Sequence, residues 1–169
     1  WIGGVFWDQD QIFVGTGKGL LVSHDGGLQF SLEHFVGANT NDGIFQMVGR
    51  KINNQIQFYL ITATSNSLYP WEDIIELRHH ITGIFTLDYN TKKWIDFSNY
   101  IPSSIKIQWV DMAINQKDTI YLAGHENDLP VILKTTDQGK SWNNIFKAID
   151  NQNIRTGYGG DGGPFSYLW

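Results

Sequence analysis

Eight residues are written twice in this chain. "SHDGGLQF" runs from Ser23 to Phe30 and "TTDQGKSW" from Thr135 to Trp142, 112 positions later. Ser23 and Thr135, Asp25 and Asp137, Gly27 and Gly139, and Phe30 and Trp142 hold matching places. The flanks repeat as well. "GGVFWDQD", "QIFVGTG" and "GLLVS" precede the first octet; "IQWVDMAINQKD", "TIYLAGHEND" and "PVILKT" precede the second. "LQFSLEH" and "SWNNIFKA" follow them. Each run is short, rich in Val, Ile and aromatics, and bounded by turn residues, which reads as a β-strand. Each octet is therefore expected to join the third and fourth strands of a unit of roughly 45 residues.

A middle unit has the same order. "GIFQMVGRKINN" and "QIQFYLITATS" form its first hairpin, "ITGIFTLDYN" and "KKWIDFSNY" its second. Its turn, "DYNTKKW" from Asp88 to Trp94, is a degenerate octet in which Asp88 stands for the hydroxyl, Asn90 for the Asp and Lys92 for the Gly. Sixteen residues, "SNSLYPWEDIIELRHH" from Ser65 to His80, interrupt this unit between strands two and three. The expected organisation is all-β: one unit over about 1–37, a second over 38–101 with its insertion at 65–80, and a third over 102–154. Residues 155–169 read as the first strand of a fourth.

Composition narrows the function classes. The 169 residues carry a net charge of −5, with 17% charged residues and no basic run, which argues against a nucleic-acid partner. No apolar run reaches membrane-spanning length. Cysteine is absent, so disulfides and thiolate metal sites are excluded. Aromatics reach 14%, a load that suits stacked sheets or a surface for flat ligands.

Within the octet, Gly27 and Gly139 supply the positive φ that the turn requires. Asp25 and Asp137, with Ser23 and Thr135, are suited to binding turn amides. Phe30 and Trp142 are expected to fold back beneath neighbouring strands.

These octets resemble Asp boxes, the Ser/Thr-x-Asp-x-Gly-x-x-Trp/Phe turns of sialidase-like and sortilin-like β-propellers, with two full copies and one degenerate copy over nearly the whole chain. "YGGDGG" at 158–163 resembles a Gly-Gly-Asp-Gly turn of some of these proteins. The resemblance implies four-stranded antiparallel blades, about three and a half of them here. That number does not close a propeller, so the rest of the propeller is expected from a longer polypeptide or another chain. It also implies an extracellular, cell-surface or periplasmic setting, and ligands bound on the blade face away from the octets. On that reading Asp25 and Asp137 are structural.

The opposite face gathers the chemistry. Asp42 and Asp161 each begin an innermost strand. As a pair they would suit general acid/base cleavage of a glycosidic bond, at ~5.5 Å for retention or ~6.5–9.5 Å for inversion. As Asp-Gly dipeptides they read first as plain turns. Tyr69, Trp71 and Arg78 of the insertion, His125 and Glu126 of "GHENDLP", and Tyr158 form a set of aromatic and polar groups suited to a sugar. The insertion serves either as a ligand contact or as a flap over the blade edge. Adjacent His79 and His80 would point to opposite faces of a strand, so they would not chelate one metal. "HEND" lacks the spacing of a calcium loop and reads as a polar turn. No metal and no cofactor are expected. A sialidase would need three arginines around its substrate. The chain has only Arg50, Arg78 and Arg155, none in the family's Arg-Ile-Pro motif. The expected function is binding of a glycan or a protein through the face opposite the octets. The alternatives are a glycoside hydrolase and a non-catalytic scaffold or sorting factor.

Overall fold

The computed structural model describes residues 2–33, 42–64, 81–106, 113–114, 119–126 and 129–147. The chain divides into two compact units, Trp1–Ser98 and Asn99–Trp169. The insertion at 65–80 and the strand expected at 155–169 lie outside the described residues. No helix among the described residues is long and apolar enough to cross a membrane.

The first unit holds two four-stranded meanders. In one, β1 (Ile2–Asp8), β2 (Gln11–Thr16), β3 (Gly19–Ser23) and β4 (Ser31–Glu33) lie side by side in chain order. In the other, β5 (Asp42–Ile52), β6 (Gln55–Thr64), β7 (Ile81–Asp88) and β8 (Lys93–Asp96) do the same. Every pairing is antiparallel. The run "LQFSLEH" yields a strand only from Ser31, because Leu28 to Phe30 belong to the octet turn.

Alternation of side chains builds the core between these two meanders. Phe6, Phe13 and Val22 pair across the first sheet and so share a face. Phe58 and Leu87, and Leu60 and Phe85, pair across the second. The two faces meet in one cluster, in which Phe13, Leu20, Phe58, Leu60 and Leu87 are fully buried. Phe58 stands edge-on to Phe6 at 5.7 Å and tilted against Phe13 at 5.0 Å, and Tyr89 stands edge-on to Phe13 at 4.7 Å. Such offset contacts suit the ring quadrupoles.

Glycine sets the approach of the sheets. A Cβ on Gly3 would lie 2.6 Å from the Ile44 carbonyl oxygen, and one on Gly49 would lie 2.5 Å from Phe6 Cγ. β1 and β5 therefore pack backbone on backbone, which a larger residue would prevent.

The second unit holds one meander, β10 (Ala113–Ile114), β11 (Ile120–Glu126), β12 (Leu129–Thr135) and β13 (Asn143–Lys147). A short β9 (Ile105–Lys106) pairs with the far end of β11. Because β12 lines one edge of β11 throughout, β9 and β10 share the other and act as an interrupted first strand. Ile120, Leu122, Val131 and Leu133 are buried on this sheet.

Candidate functional site

Each octet spans the link between the third and fourth strands of its sheet, β3 to β4 and β12 to β13. The two turns are built alike. The Ser23 hydroxyl donates to Asp25 Oδ1 at 2.7 Å and accepts the Gly27 amide at 2.9 Å, while the Gln29 amide donates to Asp25 Oδ1 at 3.0 Å. In the second copy, the Thr135 hydroxyl donates to Asp137 Oδ1 at 2.7 Å and accepts the Gly139 amide at 3.0 Å. The Ser141 amide donates to Asp137 Oδ1 at 3.0 Å. Gly27 has φ +95° and Gly139 φ +88°, a region that L side chains adopt at a cost. The residues before them, Gly26 and Gln138, are also left-handed.

These bonds favour the carboxylate form. The Gln29 amide and the Ser23 hydroxyl hold Asp25 below the ordinary carboxyl value. The Ser141 hydroxyl, then the Thr135 hydroxyl and the Ser141 amide, hold Asp137 down to about 2. A carboxyl so stabilised as an anion is a poor proton donor at neutral pH. Phe30 approaches its own turn, its ring near Gly27, but stays 45% exposed rather than folding beneath the neighbouring strands. Trp142 is half-buried.

The degenerate copy makes a different turn. Asp88 Oδ1 accepts the Asn90 and Thr91 amides at 3.1 and 3.3 Å, and Lys92 carries the left-handed conformation at φ +55°. Asn90 Oδ1 instead accepts the Ile56 amide at 2.8 Å, tying the turn to β6. Glu33 of β4 accepts from the Tyr89 hydroxyl and from Lys92 Nζ, each at 2.7 Å, and so joins the two meanders. Burial is the largest single influence on Glu33 and pushes it up, but the hydrogen bonds from Lys92 and Tyr89 and the positive charge of Lys92 together outweigh it and hold the carboxyl below its ordinary value.

Asp42 stands elsewhere. It opens β5 opposite Thr64, beside Gly43, whose added Cβ would come 2.5 Å from the Gly17 carbonyl oxygen in the β2–β3 turn. The far end of β5 is the octet end, where Lys51 pairs with Asp8 and the Gly26 amide donates to the Asp10 carbonyl at 2.9 Å. Nine residues separate Asp42 from Lys51, about 30 Å at ~3.3 Å per residue. Asp25 and Asp42 therefore serve different ends of the sheets. Asp42 Oδ1 is buried and has no hydrogen-bond partner among the described residues. Leaving such an oxygen dry costs about 1–3 kcal/mol or more.

The remaining candidates are not brought together. Asp161, Tyr158, Tyr69, Trp71 and Arg78 lie outside the described residues. Of "HEND", Asn127 and Asp128 lie outside the described residues, and the first two residues extend a strand. His125 and Glu126 are strand residues, paired with Pro130 and Leu129 on one side and with Lys106 and Ile105 on the other. Ladder bonds to β9 extend β11 into the expected loop. Among the described residues, no three His, Asp or Glu converge as a cation site. Arg50, absent from the candidate set, donates to Gln57 Oε1 and to the Tyr59 hydroxyl at 2.6 and 2.8 Å. Its place on the same strand face as those partners, at the Lys51 end of β5, is a pairing that single-sequence patterns do not reveal.

No protein-family model and no curated protein sequence matches the chain. Among solved structures, it is similar to an ancestral GH74 enzyme, a β-propeller-type glycoside hydrolase, with a TM-score of 0.52 at 14% identity. The match covers 89% of this chain and 20% of that one, so the chain spans about a fifth of the enzyme's length. Likeness at that identity speaks for fold alone. With the antiparallel four-stranded sheets, it establishes an all-β chain built of blades of the β-propeller type.

Proposed function

We propose that this chain is part of an Asp-box β-propeller that binds a glycan at the blade ends opposite the octets. Asp42 is the carboxylate at that site. The observation that carries this reading is the buried, unpartnered Oδ1 of Asp42 at the start of β5. A sugar hydroxyl would supply the missing donor. Asp161, Tyr158, Tyr69, Trp71, Arg78, His125 and Glu126 belong to the same proposal as groups of that face.

Likeness to a glycoside hydrolase favours a second reading, in which the bound glycan is also cleaved. Asp42 then hands its proton to the glycosidic oxygen as the carbon–oxygen bond breaks. A water attacks the anomeric carbon and gives its proton to a second carboxylate, Asp161 being the candidate.

Titrating a panel of soluble polysaccharides against the chain, while measuring release of reducing ends, tests both readings. Binding weakened about tenfold or more by Asp42→Asn, with the melting temperature kept, supports the site. Binding that survives the substitution unchanged refutes it. Reducing ends that appear with the native chain and vanish with Asp42→Asn select the hydrolase.

A further inference from the structure

We propose that Lys18 makes the Asp42 site selective for acidic glycans, those whose sugars carry a carboxylate or a sulfate. Resting on the glycan reading of Asp42, this names the class of sugar that the site selects. Backbone contact makes the two residues neighbours. Gly17 and Lys18 form the turn between β2 and β3. A Cβ on Gly43 would lie 2.5 Å from the Gly17 carbonyl oxygen and 2.6 Å from its Cα. Asp42 precedes Gly43 and Lys18 follows Gly17, so the Cα atoms of Asp42 and Lys18 lie within ~12 Å of each other. A turn projects from the strand ends, away from the faces by which sheets stack, so the place of Lys18 does not depend on what lies beside the first sheet.

The turn that carries Lys18 is held in shape. The Thr16 hydroxyl donates to the Gly19 carbonyl at 2.8 Å and accepts the Lys18 amide at 3.2 Å. Gly19 has φ +126°, a conformation that glycine takes without strain. The Lys18 side chain therefore springs from a fixed origin, and a ligand does not have to order the backbone beneath it.

Charge distinguishes Lys18 from the lysines of the octet end. Lys51 and Lys92 are each paired with a carboxylate, Asp8 and Glu33. Lys18 is exposed, and its ammonium has no ion pair among the described residues, Asp42 included. An acidic sugar serves both groups at once. A ring hydroxyl donates to Asp42 Oδ1, and the carboxylate or sulfate accepts from Lys18 Nζ in a charge-assisted bond, roughly twice as strong as a neutral one. A neutral sugar makes only the first bond, and an amino sugar would set its own ammonium against that of Lys18. The chain carries a net charge of −5, which repels polyanions in general, so an acidic glycan is held only where a cation is presented locally.

Isothermal titration of the full chain against polygalacturonate, dextran sulfate, a neutral β-glucan and chitosan oligomers, at about 0.15 M salt, tests the proposal. One of the two acidic polymers should bind at least about tenfold more tightly than the β-glucan, and which one does so identifies the anion as carboxylate or sulfate. Lys18→Gln should bring that polymer down to the affinity of the β-glucan and leave the β-glucan as it was, whereas Lys18→Arg should keep the preference. Lys93→Gln, an exposed lysine at the octet end of β8, should change neither. Tighter binding of the β-glucan or chitosan overturns the proposal, as does an acidic preference that survives Lys18→Gln; both leave the role of Asp42 standing. Asp42→Asn should weaken acidic and neutral polymers alike, so its failure to do so counts against the glycan reading itself, and no binding of any polymer overturns both.

Discussion

At the scale of single residues, backbone conformation and proton affinity make opposite kinds of demand. Gly27 and Gly139 occupy left-handed backbone, and a Cβ at Gly27 would also press on Ile12 Cδ1 at 3.2 Å. Gly27→Val should therefore lower stability by about 1–3 kcal/mol, read by chemical denaturation. Lys92 holds the corresponding place in the degenerate turn without being glycine. Lys92→Gly should be more stable than Lys92→Ala by about 1 kcal/mol, since both lose the same ion pair and only Ala keeps the left-handed penalty. Asp137 gives a prediction in pH. Its value of about 2 lies below the ordinary 3.8, so its contribution is complete above 3.8 and is lost as pH falls through about 2. Thermal unfolding of Asp137→Asn should lie below that of the native chain at neutral pH and converge with it as pH approaches 2.

At the scale of elements, the contact between the first two sheets depends on what is missing as much as on what is present. Gly49→Ala places a methyl group against the Phe6 ring, and the overpacking should cost about 1–3 kcal/mol. Phe58→Ala opens a cavity between the same sheets and should cost about 3–5 kcal/mol. The Glu33 junction is weaker. Lys92 is half exposed, so its ion pair contributes about 0.5 kcal/mol or less after solvent screening. The Tyr89 hydroxyl is buried with its ring, and its bond to Glu33 should contribute about 1 kcal/mol. A double-mutant cycle on Glu33→Gln and Tyr89→Phe should return a coupling of that size; no coupling would mean the junction holds nothing together.

At the scale of the whole chain, the unit Trp1–Ser98 contains both partners of its own core. Residues 1–98 expressed alone should therefore unfold cooperatively in denaturant with a β-type dichroism spectrum, since two stacked sheets suffice to bury an apolar face. A non-cooperative melt would show that the second unit is needed to hold the first together.

How much of this was legible beforehand follows from the range of each interaction. Strand content, the four-strand meander and the place of the octets in it are written locally, in period-two alternation and in turn residues a few positions apart. The octet bonds are local too, within four residues, which is why Ser23, Asp25 and Gly27 announce themselves. The start of β4 was misjudged because one amide bond from Gln29 to Asp25 keeps an apolar run in the turn. The first half of "HEND" is strand rather than turn, because His125 and Glu126 pair on one side with Pro130 and Leu129 and on the other with Lys106 and Ile105, some twenty residues upstream. Asp42 shows the same limit from the other side. Its Asp-Gly dipeptide reads first as a plain turn in sequence, and only the folded chain leaves Oδ1 buried without a hydrogen-bond partner among the described residues. Short-range sterics and amide bonding set the class of fold and the geometry of its turns, so both can be read from neighbouring residues. Burial is a property of what the rest of the chain brings alongside, so the unpartnered oxygen of Asp42 among the described residues and the glycines that let two sheets meet emerge only from the folded chain.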